Sequence, residues 1–168
     1  NMLNTKYFIF QDNEGKFQVQ KNKEANGNVW FVKNIKKVSS ANEEIQTLDS
    51  LKTKIEAVIN LEKINEKVDL SYSNDSLASI KLVKYNVNEL TYTSSSNSKQ
   101  FAVFSEIYYK DGWNAYIDGK LTPHYQVNYV LRGMVIPDGE HEIVFKFEPE
   151  VIQRGSIISL VAYGFFIL

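Results

Sequence analysis

Ser105-Glu106-Ile107-Tyr108-Tyr109-Lys110-Asp111-Gly112-Trp113-Asn114-Ala115-Tyr116-Ile117-Asp118-Gly119-Lys120 forms the centre of a run from Phe101 to Pro149 whose reading decides the fold. Apolar and polar residues alternate through it, and each alternating stretch stops at a Gly-containing pair. That is the pattern of successive antiparallel strands joined by tight turns. Phe101, Val103, Ser105, Ile107 and Tyr109 share one face of the first strand, and Ala102, Phe104, Glu106 and Tyr108 the other. Apolar groups on both faces predict a strand central to its sheet. Asp111-Gly112, Asp118-Gly119 and Asp138-Gly139 are turns in which Gly supplies a positive φ. Trp113 to Ile117 has room only for a short strand, and Pro123 confines the strand after it to an edge or bulge position.

Working outward, Thr5–Phe10 and Lys16–Gln20 flank the turn-forming Asp12-Asn13-Glu14-Gly15 and predict an opening β-hairpin. No basic leader or small-residue cleavage site precedes it. Asn28 to Val32 reads as a strand with Trp30 as a core anchor. Residues 41–52 change to helical spacing: Ser40 or Asn42 can cap, Glu43 and Glu44 suit the positive N-terminal end, and Ile45, Leu48 and Leu51 fall on one side. Lys54–Ile59 returns to strand-like alternation, Leu61–Lys67 fits either a helical turn or a loop, and Ser79–Tyr85 and Glu89–Thr93 are strands. Ser94–Ser98 reads as a polar turn. The summed expectation is a mainly β, antiparallel sandwich, jelly-roll-like, with a short helical insertion near residues 41–52. One domain spans 1–155. The uncharged segment 156–168 is either a last core element or the start of a transmembrane helix, being too short to span alone.

Composition narrows the chemistry. Nineteen basic and twenty acidic residues give a net charge of -1 with no block of one sign, so no long-range field gathers nucleic acid or an acidic bilayer, which argues against polyanion binding. There is no Cys, so disulfides and thiol chemistry are excluded. His124 and His141 have no metal-ligand spacing, no phosphate loop is present, and neither a metal nor a cofactor is expected. Ser105, Glu106 and His141 lack the elbow of a hydrolase triad. Glu106 and Asp118 could form a glycosidase pair only at the right separation, and Asp118 is better read as a turn residue. Glu106 interrupts an apolar strand face, so burial would require a partner, Lys120 or Arg132. No catalytic residue is assigned. Tyr108, Tyr109, Trp113 and Tyr116 are candidate contacts to glycan or to a partner, the alternative being core filling. Glu106, Gly112, Asp118 and Gly119 are structural.

Ser105-Glu106-x-Tyr108-Tyr109 followed by Gly112-Trp113-x-Ala115-Tyr116-x-Asp118-Gly119 resembles the signature near the C-terminus of the YfhO-like family of bacterial polytopic membrane proteins. Met2 to Tyr7, Gly27 to Val32, Pro137-Asp138-Gly139-Glu140-His141 and Phe147-Glu148-Pro149 agree with it in order. Lys110-Asp111 departs from it, since the family often has Pro before the Gly-Trp. The resemblance implies an extracytoplasmic domain on the outer face of the bacterial cytoplasmic membrane, partnered by the protein's own transmembrane helices, with Ile157–Leu168 entering a membrane helix. It also implies similarity to envelope glycosyltransferases that use polyprenyl-phosphate sugars, with catalysis elsewhere and this domain a non-catalytic accessory contacting acceptor glycan. A protein-interaction module without a glycan role is the alternative.

Overall fold

The computed structural model describes residues 1–64 and 68–167. Thirteen strands are present among the described residues: β1 Tyr7–Gln11, β2 Phe17–Lys21, β3 Val29–Val32, β4 Asn34–Val38, β5 Glu56–Asn60, β6 Ser79–Asn86, β7 Glu89–Ser96, β8 Gln100–Ile107, β9 Trp113–Ile117, β10 Lys120–Thr122, β11 Tyr125–Val127, β12 Leu131–Ile136 and β13 Gly139–Phe147. The helices are α1 Ala41–Leu48 and α2 Glu150–Ile167, with a 3-10 turn at Leu61–Lys63.

Two antiparallel sheets, ordered β10-β9-β13-β7-β6 and β11-β12-β8-β3, face each other. Their inner faces meet in a core of Leu90, Tyr92, Ala102, Phe104, Ala115, Met134, Ile143 and Phe145. Phe104 stands edge-on to both Tyr92 and Phe145, each at 4.9 Å between ring centres, the geometry that the ring quadrupoles favour. β8 is flanked by β12 and β3, as its two apolar faces predict. Its second face is covered by something the sequence pattern did not disclose. β4 and β5 pair in parallel, and α1 forms the crossover between them. This layer buries Ile35, Ala57, Ile59, Phe101, Val103 and Val127 in a second core. Trp30 joins that core half-buried, its Nε1 donating to the Thr53 carbonyl at 2.7 Å.

Several local expectations need correcting. The helix ends at Leu48, short of residue 52; Ser40 is its cap, accepting from the Glu43 N–H. The side chain it buries is Glu44, fully enclosed, while Ile45 is exposed. Ser94 to Ser96 are not a turn: β7 runs on through them because Leu90, Tyr92, Ser94 and Ser96 keep the period-two burial that the strand began, only with smaller side chains. The Asp118-Gly119 turn has the positive φ expected at Gly119, and Asp118 shares it. Gly112 does not have a positive φ; it is required because a Cβ there would sit 2.4 Å from Phe147 Cε2. Of Leu61–Lys67, the first three residues make a 3-10 turn, and 65–67 lie outside the described residues.

The opening hairpin forms with Ile9 opposite Val19, yet every residue of both its strands is exposed. The C-terminal segment lies within α2, which runs from Glu150 to Ile167. Its side chains Ile157, Ile158, Leu160 and Val161 are exposed. Among the described residues no helix is long and apolar enough to cross a membrane.

Candidate functional site

The site candidates gather where β8 ends and β9 begins. β8 carries a bulge here: Arg132 pairs with Phe104 but Leu131 pairs with Ile107, so Ser105 and Glu106 are extra residues on the β8 side. Such an insertion twists the strand and re-aims its side chains. The Ser105 hydroxyl, 2.6 Å from the Met2 carbonyl and 2.9 Å from that of Gly27, is thereby spent on the N-terminal segment.

Arg132 is the largest fully buried side chain at this end, 2% exposed. Its Nε donates to the Ile107 carbonyl at 3.0 Å, and its guanidinium carbon lies 4.3 Å from the Trp113 ring centre and 5.1 Å from that of Phe145. Two ring faces thus replace much of the lost hydration of the cation. One terminal nitrogen, Nη1, is buried without a hydrogen-bond partner among the described residues. Of the two partners considered for Glu106, Arg132 is the one whose charge reaches it. Burial pushes the Glu106 carboxyl above its ordinary value, and the Arg132 charge partly offsets this. His124 completes the cluster, with ring centres 5.2 Å from Tyr108 and 5.5 Å from Phe145. Burial, with Arg132 adding to it, pushes its pKa down to about 4, so His124 is neutral at pH 7. Its role is to wall the cluster, a role that periodicity could not reveal.

The four candidate aromatics separate. Trp113 is half-buried, clamped between Arg132 and the Phe147 ring 5.4 Å away. Tyr116 donates its hydroxyl to Glu148 Oε2 at 2.7 Å, and Asn114 Nδ2 donates to the same oxygen at 3.0 Å. Those bonds, Asn114 first, hold the Glu148 carboxyl below its usual range, and the bond to Glu148 raises the Tyr116 hydroxyl. Tyr108 and Tyr109 instead border a groove of about 470 Å³ whose other walls are Glu62, Lys63, Lys110, Asp111 and Gln126. Tyr109 is the most open of the four at 52% exposed, and it stacks on Phe147 with 27° between the planes. Across the loop lies a second hollow of about 310 Å³ lined by Gly112, Asn114, Glu148 and Glu150. The geometry therefore brings Tyr108 and Tyr109 together at a concave surface and assigns Trp113 and Tyr116 to holding that loop.

The groove's other wall rests on Glu44, which the sequence reading assigned to the helix dipole. Its Oε1 accepts from the Tyr129 N–H at 2.8 Å and its Oε2 from Lys63 Nζ at 3.1 Å. Glu44 so fixes both Lys63 and the 125–129 segment. Asn128 does the same for β5, exchanging two bonds of 2.9 Å with Val58 as a strand would. The sequence carried a signal here in Asn128-Tyr129, which adopt positive φ.

Asp118 and Gly119 follow the far end of β9, whose last residue, Ile117, is roughly 13 Å along the strand from Trp113 at 3.3 Å per residue. Glu106 and Asp118 are therefore not a facing acid pair. Asp118 Oδ2 lies 2.6 Å from His141 Nδ1, and Oδ1 accepts from the Glu142 N–H. His141 Nε2 in turn lies 3.0 Å from the Asp138 carbonyl. With an acceptor at each ring nitrogen, only the imidazolium satisfies both, and its pKa is raised accordingly, chiefly by Asp118. Ser105, Glu106 and His141 are not assembled. Among the described residues no group of three His, Asp or Glu is placed to hold a metal ion.

The architecture is that of an antiparallel β-sandwich backed by a parallel pair and presenting a tyrosine-walled groove at one end. Residues 3–159 match the family described as bacterial membrane protein YfhO, and the chain belongs to that family. No curated protein matches the chain, and no solved structure does.

Proposed function

We propose that this chain is a non-catalytic, extracytoplasmic accessory domain of an envelope glycosyltransferase-like membrane protein, and that the Tyr108–Asp111 groove contacts the acceptor glycan. The observation that carries the reading is the groove itself: two Tyr rings at an open concave surface, flanked by Glu62, Lys63, Asp111 and Gln126 as hydrogen-bonding groups. Flat rings cover the apolar face of a sugar while carboxylate and amide groups bond its hydroxyls. The buried Arg132–Trp113 stack supports it from below, so the contact surface is held in place before a ligand arrives. The protein's own transmembrane helices are the partner it works with.

The test is titration of the chain with fragments of envelope polysaccharide by calorimetry, beside Tyr109→Ala and Trp113→Phe variants. Binding lost in Tyr109→Ala with an unchanged melting temperature supports the glycan role. No binding by the folded wild-type chain leaves a protein-interaction module as the reading, and sugar-donor turnover abolished by Glu106→Gln makes the domain catalytic and defeats the proposal.

A further inference from the structure

The β1–β2 hairpin is an apolar feature that the sandwich leaves uncovered. Period-two geometry sorts it into two faces: the register Tyr7↔Lys21, Ile9↔Val19 and Gln11↔Phe17 puts Tyr7, Ile9, Phe17 and Val19 on one of them, each 57–73% exposed. A two-stranded hairpin alone in water is marginal, and four large apolar groups on one side give it a reason to lie on something.

Three further observations say what that is. Lys21 stands on the same face, and Lys6 and Lys23 flank it at the hairpin's root; none of the three has a carboxylate within 4 Å among the described residues, whereas Lys16 at the tip is neutralised by Glu14. The root is fixed to the end of the sandwich that carries the groove, through Met2 to Ser105 and Asn4 to Asn28. α2 departs from that same end, since Glu148 N bonds the Gly112 carbonyl at 2.7 Å, and so does the β6–β7 turn, where Val87 is 89% exposed and Asn88 accepts from Phe147 N. Aromatic and aliphatic side chains bordered by unpaired Lys are the composition of a surface that seats at the headgroup level of an anionic bilayer. Open strand edges forbid deeper entry, because their N–H and C=O groups would lose water.

We infer that the Tyr7/Ile9/Phe17/Val19 face of the hairpin lies on an anionic lipid surface and orients the groove relative to it. The inference rests on the reading of the chain as a domain standing beside a membrane, but not on glycan binding, which is measured without lipid and can fail independently. The hairpin acts as a second point of attachment besides α2, so the sandwich is held at two places and cannot swing freely.

The chain has no Cys, so single cysteines report cleanly. Val19→Cys in the hairpin and Asn97→Cys at the opposite end of the sandwich are labelled with an environment-sensitive fluorophore. The whole chain, carrying a C-terminal histidine tag, is held on nanodiscs through nickel-chelating lipid, in phosphatidylcholine with or without phosphatidylglycerol. The expected result is a blue-shifted Val19→Cys label quenched by headgroup-level nitroxide lipid, with the Asn97→Cys label unaffected. On untagged chain and anionic vesicles, Lys6, Lys21 and Lys23 changed together to Gln weaken binding by up to about a hundredfold, at roughly fivefold per basic residue. A Val19→Cys label as wet as Asn97→Cys overturns the inference. So does a label that is dry in the detergent-solubilised full-length protein but wet on lipid, which makes the occupant a protein surface, and so does binding indifferent to the three Lys.

Discussion

Replacing His124 by Phe removes a titration that the fold makes costly. The unfolded chain takes up this proton near pH 6.5, whereas the folded chain resists until about pH 4. In that window the unfolded state holds more protons, so the His124 contribution to stability falls as pH falls. For a drop from pH 7 to pH 5 the linkage integral gives about 1.8 kcal/mol, and solvent screening of the ring's accessible edge trims it to between about 1 and 1.8 kcal/mol. Phe suits the site because the neighbours are the Tyr108 and Phe145 rings, and the buried, unpartnered Nε2 disappears with the substitution. Urea unfolding at the two pH values, followed by the fluorescence of Trp30 and Trp113, should show a wild-type midpoint falling by roughly 0.5 to 1 M more than that of His124→Phe. His141 and the paired carboxylates titrate in both proteins and cancel in the difference. Equal pH slopes for the two proteins would refute the burial of a neutral imidazole beside Arg132.

Gly112→Ala places a methyl group against Phe147 and Tyr109, and overpacking of this kind costs about 1–3 kcal/mol, seen as a lowered melting temperature in calorimetry. Glu44→Ala strands the Tyr129 N–H and loosens Lys63, costing about 3 kcal/mol by chemical denaturation, while Glu44→Gln retains an acceptor and costs less. In Asp118→Asn, NMR titration of His141 should give a pKa that drops from its raised value toward the ordinary one. His141 is raised in the fold, so its stabilisation is fully present below about pH 6.5 and is lost as pH rises through the folded pKa; Asp118→Asn should flatten that alkaline loss.

The strands announced themselves where hydrophobic alternation and Gly turns coincide. Within β8, Phe101 to Phe104 is apolar at every position, and its burial on both faces followed from that. Four things were hidden, each for its own reason. The parallel β4–β5 layer arises from the non-local pairing of Ile35 with Ala57, which no local period encodes. β7 was cut short at Ser94 because small hydroxyl residues read as a turn, although they are what fits where the strand's buried face continues. Glu44 looks like a dipole-compensating residue from its place in the first helical turn, and only tertiary structure brings Tyr129 and Lys63 to it. Among the candidate contacts the motif's aromatics were legible as a group, but their division into groove walls, Tyr108 and Tyr109, and supports, Trp113 and Tyr116, depends on Arg132 and Glu148 arriving from other strands.

The most direct test of a binding groove at the Tyr108–Asp111 loop is a residue-resolved NMR titration of the chain with envelope glycan fragments. The account predicts saturable amide shifts confined to Glu62, Lys63, Tyr108 to Asp111 and Gln126, with no product formed. Shifts that cluster elsewhere, or none at all at saturating glycan, would contradict it.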